Sequence, residues 1–340
     1  MLTLDVLDDI ELSAKPWGQI AVAASFLMPV YHLPMTRTEI LFEGVENLDF
    51  DRPVIFAMNH TDRYNYWPFQ YRLWRSHQAY TTTWVKGKYY NKKPLRAFMV
   101  KTNNLAVPSR GYLITADAAQ VLGHAPSSKT YRVLRDAIDA RRTDTRQVRE
   151  EAAEQGVLSE VVPILDTPRD MLGLDFEPNR QNYLEAMIEL FSQMMEKFVA
   201  LNEQALSLGL NILVFPEGTR SIRLQEGKPG LAQMALRMNS TVVPVGCNGS
   251  DKVYPGDSPI AKGGRVLYRI GKPLTPEGEL AEFQIDEHFT PFTHEAEEEY
   301  GDVFAPMTDL IMERIEGLLD ERHRPNDGES GSVKGAKRFL

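Results

Sequence analysis

Short apolar runs of strand type, separated by stretches of helical composition, narrow the fold of this sequence more than any other feature. Residues 53–58 (PVIFAM), 79–85 (AYTTTWV), 105–107 (LAV), 211–215 (NILVF), 240–245 (STVVPV) and 265–270 (RVLYRI) crowd β-branched, aromatic and other apolar residues into a few positions each. Segments between several of them, such as 69–76, have helical composition. That alternation predicts an α/β fold, with a mixed or mostly parallel sheet flanked by helices rather than a β-sandwich.

Residues 115–208 break the alternation. YRVLRDAIDARR, from Tyr131, and YLEAMIELFSQMMEKFVALNEQAL, from Tyr183, are long helical patterns joined by the loop-like TPRDMLGLDFEPNRQ. In the second, Leu184, Ile188, Phe191, Met195 and Phe198 recur at three- and four-residue steps, which lines one face of a helix. This apolar stripe reads as core, or as a wall against an acyl chain. The expected organisation is an N-terminal segment over 1–37, a domain over 38–322 with a helical insertion at about 115–208, and a tail over 323–340. Its Gly, Ser and charged residues predict disorder in that tail.

The net charge of −9 argues against a nucleic-acid-coating surface and leaves room for a local basic patch. The single cysteine, Cys247, excludes an intrachain disulfide and a cysteine zinc cluster and fits a reducing compartment. Residues 1–15 are acidic and lack the basic start of a secretory signal. The longest apolar run, residues 20–31, is interrupted by Pro29 and falls short of the ~20 residues a bilayer span needs. It reads either as a buried helix or as an interfacial segment with Trp17 and Tyr31 at headgroup level.

Two segments carry chemistry, each directly after a predicted strand: Asn59-His60-Thr61-Asp62-Arg63-Tyr64-Asn65 and Phe215-Pro216-Glu217-Gly218-Thr219-Arg220-Ser221. Open α/β sheets place their ligands at such strand ends. A histidine there can act as general base near neutral pH. The second segment sets a carboxylate and a guanidinium on a glycine-containing turn, and arginine suits bidentate phosphate recognition. Neither a G-x-S-x-G elbow nor a G-x-x-x-x-G-K-[ST] phosphate loop is present, and His288 and His294 read as surface, with no metal site expected.

Together the two segments resemble the NHxxxxD and FPEGTRS motifs of the lysophospholipid acyltransferase family, the second in full. Lys86 within VKGKYY, Pro108-Ser109-Arg110, Gly227-Lys-Pro-Gly230 with Val243-Pro-Val245, and Ile270-Gly-Lys-Pro-Leu274 resemble further family blocks in order. The resemblance covers residues 38–114 and 209–275. It implies transfer of a fatty acyl group from acyl-CoA or acyl carrier protein to the hydroxyl of a lysophospholipid or glycerol-phosphate-like acceptor, with no other cofactor. It further implies His60 as general base and an acceptor site of Glu217, Gly218, Thr219 and Arg220, assisted by Arg110 and Lys86. Lipid substrates imply peripheral attachment to the cytoplasmic face of a membrane. One position departs from the pattern: Asn65 stands where the family has the aspartate that orients the histidine. Asp62 is the other candidate for that task, or else an acid of a helix start. The departure also admits an inactive relative that binds lipid or a partner, and an acyltransferase with a different lipid acceptor.

Overall fold

The computed structural model describes residues 1–34 and 36–325. Seven strands form one sheet: β1 (Thr38–Glu43), β2 (Ile55–Met58), β3 (Thr81–Lys86), β4 (Asn104–Val107), β7 (Asn211–Val214), β8 (Val242–Asn248) and β9 (Gly264–Ile270). β5 (Arg169–Met171) and β6 (Leu174–Phe176) make a separate antiparallel hairpin inside the stretch read as a loop. The sheet order is β1-β9-β8-β2-β7-β3-β4. β8, β2, β7, β3 and β4 run parallel, while β9 pairs antiparallel with β8 and parallel with β1. The predicted mixed, mostly parallel sheet flanked by helices is therefore present. Every residue of β2, β7 and β8 is buried, as covering a parallel sheet on both faces requires. β1 escaped sequence reading; it is an edge strand of mixed burial, with Glu39 and Glu43 around its apolar residues.

Topology decides what meets what. Parallel strands send their C-terminal ends to one edge, so His60 after β2, Phe215 after β7, Lys86 closing β3 and Arg110 after β4 all lie along it. β2 is the middle strand, and three inter-strand steps of about 4.8 Å put β4 roughly 14 Å away.

Between β4 and β7 the chain forms helices Arg110–Leu122, Ser128–Asp139, Thr145–Glu154, Leu158–Asp166 and Tyr183–Ser207. Their apolar faces make a core of their own, including Leu134, Val161, Leu184, Met195 and Phe198. Asp117 and Arg169 pair inside it at 2.6 Å, with the guanidinium over the rings of Phe176 and Tyr183. Leu2, Leu4, Leu7 and Ile10 pack into this core, and Leu4 N–H donates to Leu172 O at 3.0 Å. The first ten residues are thus part of the insertion and not interfacial.

Residues 17–32 form a continuous helix with a π-helical turn at Ala23–Leu27. Ala23, Leu27, Val30 and Tyr31 are buried, and the Tyr31 hydroxyl meets that of Tyr254 at 2.8 Å. Tyr31 is therefore a core residue and not a headgroup-level aromatic, whereas Trp17 stands 78% exposed. Among the described residues, no helix is long and apolar enough to cross a membrane.

After the long helix His294–Glu316 the chain straps across the sheet edge. Asp320 N–H donates to Asn248 Oδ1 (2.7 Å), Leu224 N–H to His323 O (2.8 Å), and the His323 ring meets Ile222 O at 2.7 Å. His323, taken from sequence as the start of a disordered tail, is buried in this strap; residues 326–340 lie outside the described residues. A Cβ added at Gly246 would lie 2.6 Å from both Leu318 Cβ and Leu318 O. Gly246→Ala should therefore push the strap off β8 and cost about 1–3 kcal/mol in chemical denaturation. Gly301, inside the helix His294–Glu316 with open space around it, should respond in the opposite direction: Gly301→Ala should gain about 0.5–1 kcal/mol.

Candidate active site

The end of β2 is fixed by Asn59. Its side chain donates from Nδ2 to Cys247 O (3.0 Å) and accepts from Cys247 N–H at Oδ1 (2.7 Å), replacing the ladder where β2 stops pairing with β8. The next residue, His60, donates its backbone N–H to Glu217 Oε1 at 2.7 Å and accepts at its carbonyl from Ser221 N–H at 2.8 Å. The two motif segments are thus sewn together. Gly218 N–H closes the turn onto Phe215 O at 3.0 Å, and Gly218 sits at φ +66°, where a side chain would be strained.

The His60 ring stacks on Phe215, centroids 4.0 Å apart and planes 15° off parallel. Its Nδ1 lies 3.1 Å from Asn65 Oδ1. Asn65 is fully buried and donates from Nδ2 to Asn59 O at 2.8 Å. Because the amide nitrogen must face that carbonyl, Oδ1 must face His60. The proton of the imidazole is then assigned to Nδ1, and Nε2 carries the lone pair. Among the described residues Nε2 has no hydrogen-bond partner. Burial holds His60 down to about 3, against a smaller opposing effect of Asn65, with Arg220 and Lys86 lowering it further. His60 is thus a neutral imidazole at physiological pH. Lys86 closes β3 and Arg220 follows β7, so both stand at the sheet edge that carries His60.

Asp62 is not the partner of His60. Its Oδ1 accepts from Tyr64 N–H (2.8 Å) and its Oδ2 from the Thr61 hydroxyl (2.9 Å), closing the turn that leads into the helix Tyr66–His77. Burial raises its carboxyl above the usual range.

Glu217 also differs from what the family motif implies. It is 2% exposed, and its second oxygen accepts from Gln225 N–H at 2.9 Å. Both oxygens are committed to backbone, so the carboxylate holds the site together from behind instead of reaching toward an acceptor. Arg220 is exposed, Gly218 exposed and Thr219 half-buried. The backbone N–H groups of Thr219 and Arg220 find no acceptor among the described residues.

Arg110 is taken up by partners other than the His60 loop. Its guanidinium pairs with Asp139 (3.1 Å) and Glu297 (3.7 Å) and lies over Phe191. It lines a cavity of about 190 Å³ with Ile138, Ile188, Phe191 and Phe292, between the insertion and the start of the helix His294–Glu316. Of the apolar stripe read from sequence, Ile188 and Phe191 reach this cavity, whereas Leu184, Met195 and Phe198 are core. Sequence reading gave no role to Asn59, Phe215, Gln225 or Tyr268, whose hydroxyl donates to Asn65 O at 2.5 Å. For Asn59 a signal exists, an amide side chain at the end of a buried strand; Gln225 and Tyr268 have none.

Comparison with known proteins bears on this arrangement. A family model described as Acyltransferase matches residues 185–248, which hold β7, the FPEGTRS segment and β8, and so supports the resemblance to the lysophospholipid acyltransferase family. No curated protein matches the chain. Among solved structures, the 1-acyl-sn-glycerophosphate (LPA) acyltransferase PlsC from Thermotoga maritima is similar at 14% identity, covering 87% of this chain and 94% of its own, with a TM-score of 0.36.

The geometry fixes two outcomes. In Asn65→Asp, a carboxylate oxygen would replace the amide donor against Asn59 O. This variant should lose about 1–3 kcal/mol of stability while raising the His60 pKa, read by NMR titration of the ring. Burial pushes Glu217 up to about 7 from an ordinary 4.5, although its two backbone hydrogen bonds pull the other way. A raised folded-state value means stability complete below about pH 4.5 and lost as pH rises through 7. Glu217→Gln should lower stability at pH 5 by about 1–3 kcal/mol and abolish that decline, measured by denaturation across pH.

Proposed function

We propose that this chain, tied to the acyltransferase family by residues 185–248, is an O-acyltransferase. It takes a fatty acyl group from acyl-CoA or acyl carrier protein to the hydroxyl of a lysophospholipid or glycerol-phosphate-like acceptor. The observation that carries the reading is the His60–Asn65 pair. A neutral imidazole has its Nδ1 proton tied to a buried amide and its Nε2 lone pair uncommitted, beside the cations Arg220 and Lys86.

In this reaction Nε2 of His60 removes the acceptor hydroxyl proton as the oxygen attacks the thioester carbonyl. The thiolate leaves, and the imidazolium returns the proton to it or to solvent. General-base assistance of this kind is worth about 10²–10⁴-fold. Arg220 and Lys86 supply positive charge for the acceptor phosphate, and the Thr219 and Arg220 N–H groups are donors available to an anionic oxygen. Asn65 is the orienting residue, Asp62 shapes the turn, and Glu217 and Asn59 position His60 through the backbone. The acceptor is a lipid, so the protein works at a membrane surface, peripherally and on the cytoplasmic side.

A panel of lyso-lipids assayed for thiol release from acyl-CoA tests the reading. His60→Ala should lower turnover by about 10²–10⁴-fold with folding intact, and wild-type rates in that variant would place the base elsewhere. Arg220→Ala should raise the acceptor KM with kcat nearly unchanged, because phosphate contact is largely uniform binding. The acid limb of the pH–rate profile due to His60 should lie well below the ordinary 6.5, and Asn65→Asp should move it up.

A further inference from the structure

The loop that leaves the FPEGTRS segment forms neither helix nor strand from Ser221 to Pro229, so its backbone groups depend on tertiary partners. Over residues 221–225 those partners come from two places. Ser221 N–H donates to His60 O at 2.8 Å and Gln225 N–H to Glu217 Oε2 at 2.9 Å, both inside the candidate active site. The three residues between them are gripped by the strap that follows the helix His294–Glu316. Ile222 O faces His323 Nδ1 at 2.7 Å, Leu224 N–H donates to His323 O at 2.8 Å, and Arg223 Nη1 donates to Arg324 O at 3.0 Å.

His323 is 2% exposed. A carbonyl only accepts, so its Nδ1 carries a proton toward Ile222, and Nε2 lies 3.3 Å from Gly249 N–H. The strap is pinned to the sheet in its own right. Arg269 of β9 donates to Leu318 O at 3.0 Å and pairs with Asp320 at 2.8 Å, and Arg322 pairs with Asp251, just after β8, at 2.6 Å. The loop therefore takes its position from the sheet by way of the strap.

We infer that His323 is a positioning residue for the acyl transfer proposed above, on which this reading rests: through the 221–225 loop it sets where His60 and Arg220 stand. Without its grip, the bonds at Ser221 and Gln225 must hold the loop from its two ends. Slackening at Ser221 releases the carbonyl of His60 and shifts Arg220, its neighbour in the chain. Slackening at Gln225 takes one backbone donor from Glu217, whose other oxygen holds His60 N–H. Both routes end at His60.

Three variants of the full chain test this: His323→Leu, His323→Asn and Arg223→Ala. Leucine keeps bulk and removes both ring nitrogens. Asparagine keeps an N–H donor as many bonds from the backbone as Nδ1. Hydrogen exchange, read by NMR without substrate, should quicken by at least about 10-fold at Ser221, Leu224 and Gln225 in His323→Leu, with Phe56 and Val243 as protected as in wild type. In the lyso-lipid assay the same variant should lose about 10- to 100-fold in kcat/KM for the acceptor, with kcat lowered and KM raised, because an ångström of misplacement is that costly. His323→Asn should recover most of both losses. Arg223→Ala, whose bonds to the strap are solvent-exposed, should show the same pattern at about 2- to 10-fold; it decides the matter if His323→Leu does not fold. A folded His323→Leu with wild-type exchange and kcat/KM would overturn the inference. So would an asparagine variant no better than leucine, or exchange at Phe56 and Val243 that quickens in step with the loop, the mark of a general loss of stability. If wild-type protein transfers no acyl group, the proposed function fails by itself; the exchange measurement then decides alone, and unchanged protection at Ser221 and Gln225 overturns the hold of the strap.

Discussion

One buried carboxylate holds the site together. Glu217 is 2% exposed and receives backbone N–H groups from His60 and Gln225 at 2.7 and 2.9 Å. An ionised carboxylate taken out of water costs several kcal/mol unless its lone pairs are satisfied. Among the described residues that satisfaction comes from two loops that the sheet order brings side by side, one after β2 and one before the helix Gly230–Arg237. Closing the loops and supplying hydrogen-bond donors to this carboxyl are therefore one event, although burial still raises its pKa to about 7. The Ser221 N–H bond to His60 O adds a second stitch, so the loop bearing Arg220 cannot shift without moving the histidine. A residue in the motif most easily read as a substrate contact is instead what makes the two motifs a unit.

A second chain of contacts sets the chemistry of His60. The backbone of Cys247 fixes Asn59, the carbonyl of Asn59 fixes the Asn65 amide, and the Asn65 oxygen fixes the imidazole proton. Each link is a hydrogen bond with only one workable polarity. Tyr268 holds the Asn65 carbonyl from β9, so three strands contribute to one tautomer. An aspartate would bring charge to stabilise the imidazolium, but also an oxygen against the Asn59 carbonyl. In this surrounding the amide is the side chain that satisfies both neighbours.

The sheet was legible because its strands are short, β-branched and bounded by turns, and the two motifs because they follow buried strands. What could not be read was direction. Asp62, two residues from His60, turns toward Tyr64 N–H because a carboxylate in a tight loop meets its own backbone first. Arg110 ends its strand on the expected edge, yet Asp139 of the helical insertion and Glu297 of the last long helix capture its guanidinium. Those partners come from 29 and 187 positions later in the chain, beyond the reach of any local pattern. Tyr31 sat in an apolar run and became core because its hydroxyl found Tyr254. In each case tertiary partners decided an orientation that residue type left open.

The low basicity of His60 bears on how the proposed reaction is timed. Burial and two nearby cations keep the imidazole neutral, which secures the lone pair but makes it a weak proton acceptor. An acceptor that brings a phosphate to Arg220 and Lys86 would offset the cations that depress the histidine and add negative charge of its own. Both effects raise the affinity of His60 for a proton only while the acceptor is bound. The group that recognises the phosphate and the group that moves the proton would thus be coupled through the field of the site. Water at Nε2 without an acceptor meets a poor base, and a bound acceptor hydroxyl meets a better one. The absence of a carboxylate at position 65 sharpens this dependence, because a permanent negative neighbour would strengthen the base whether or not substrate was present.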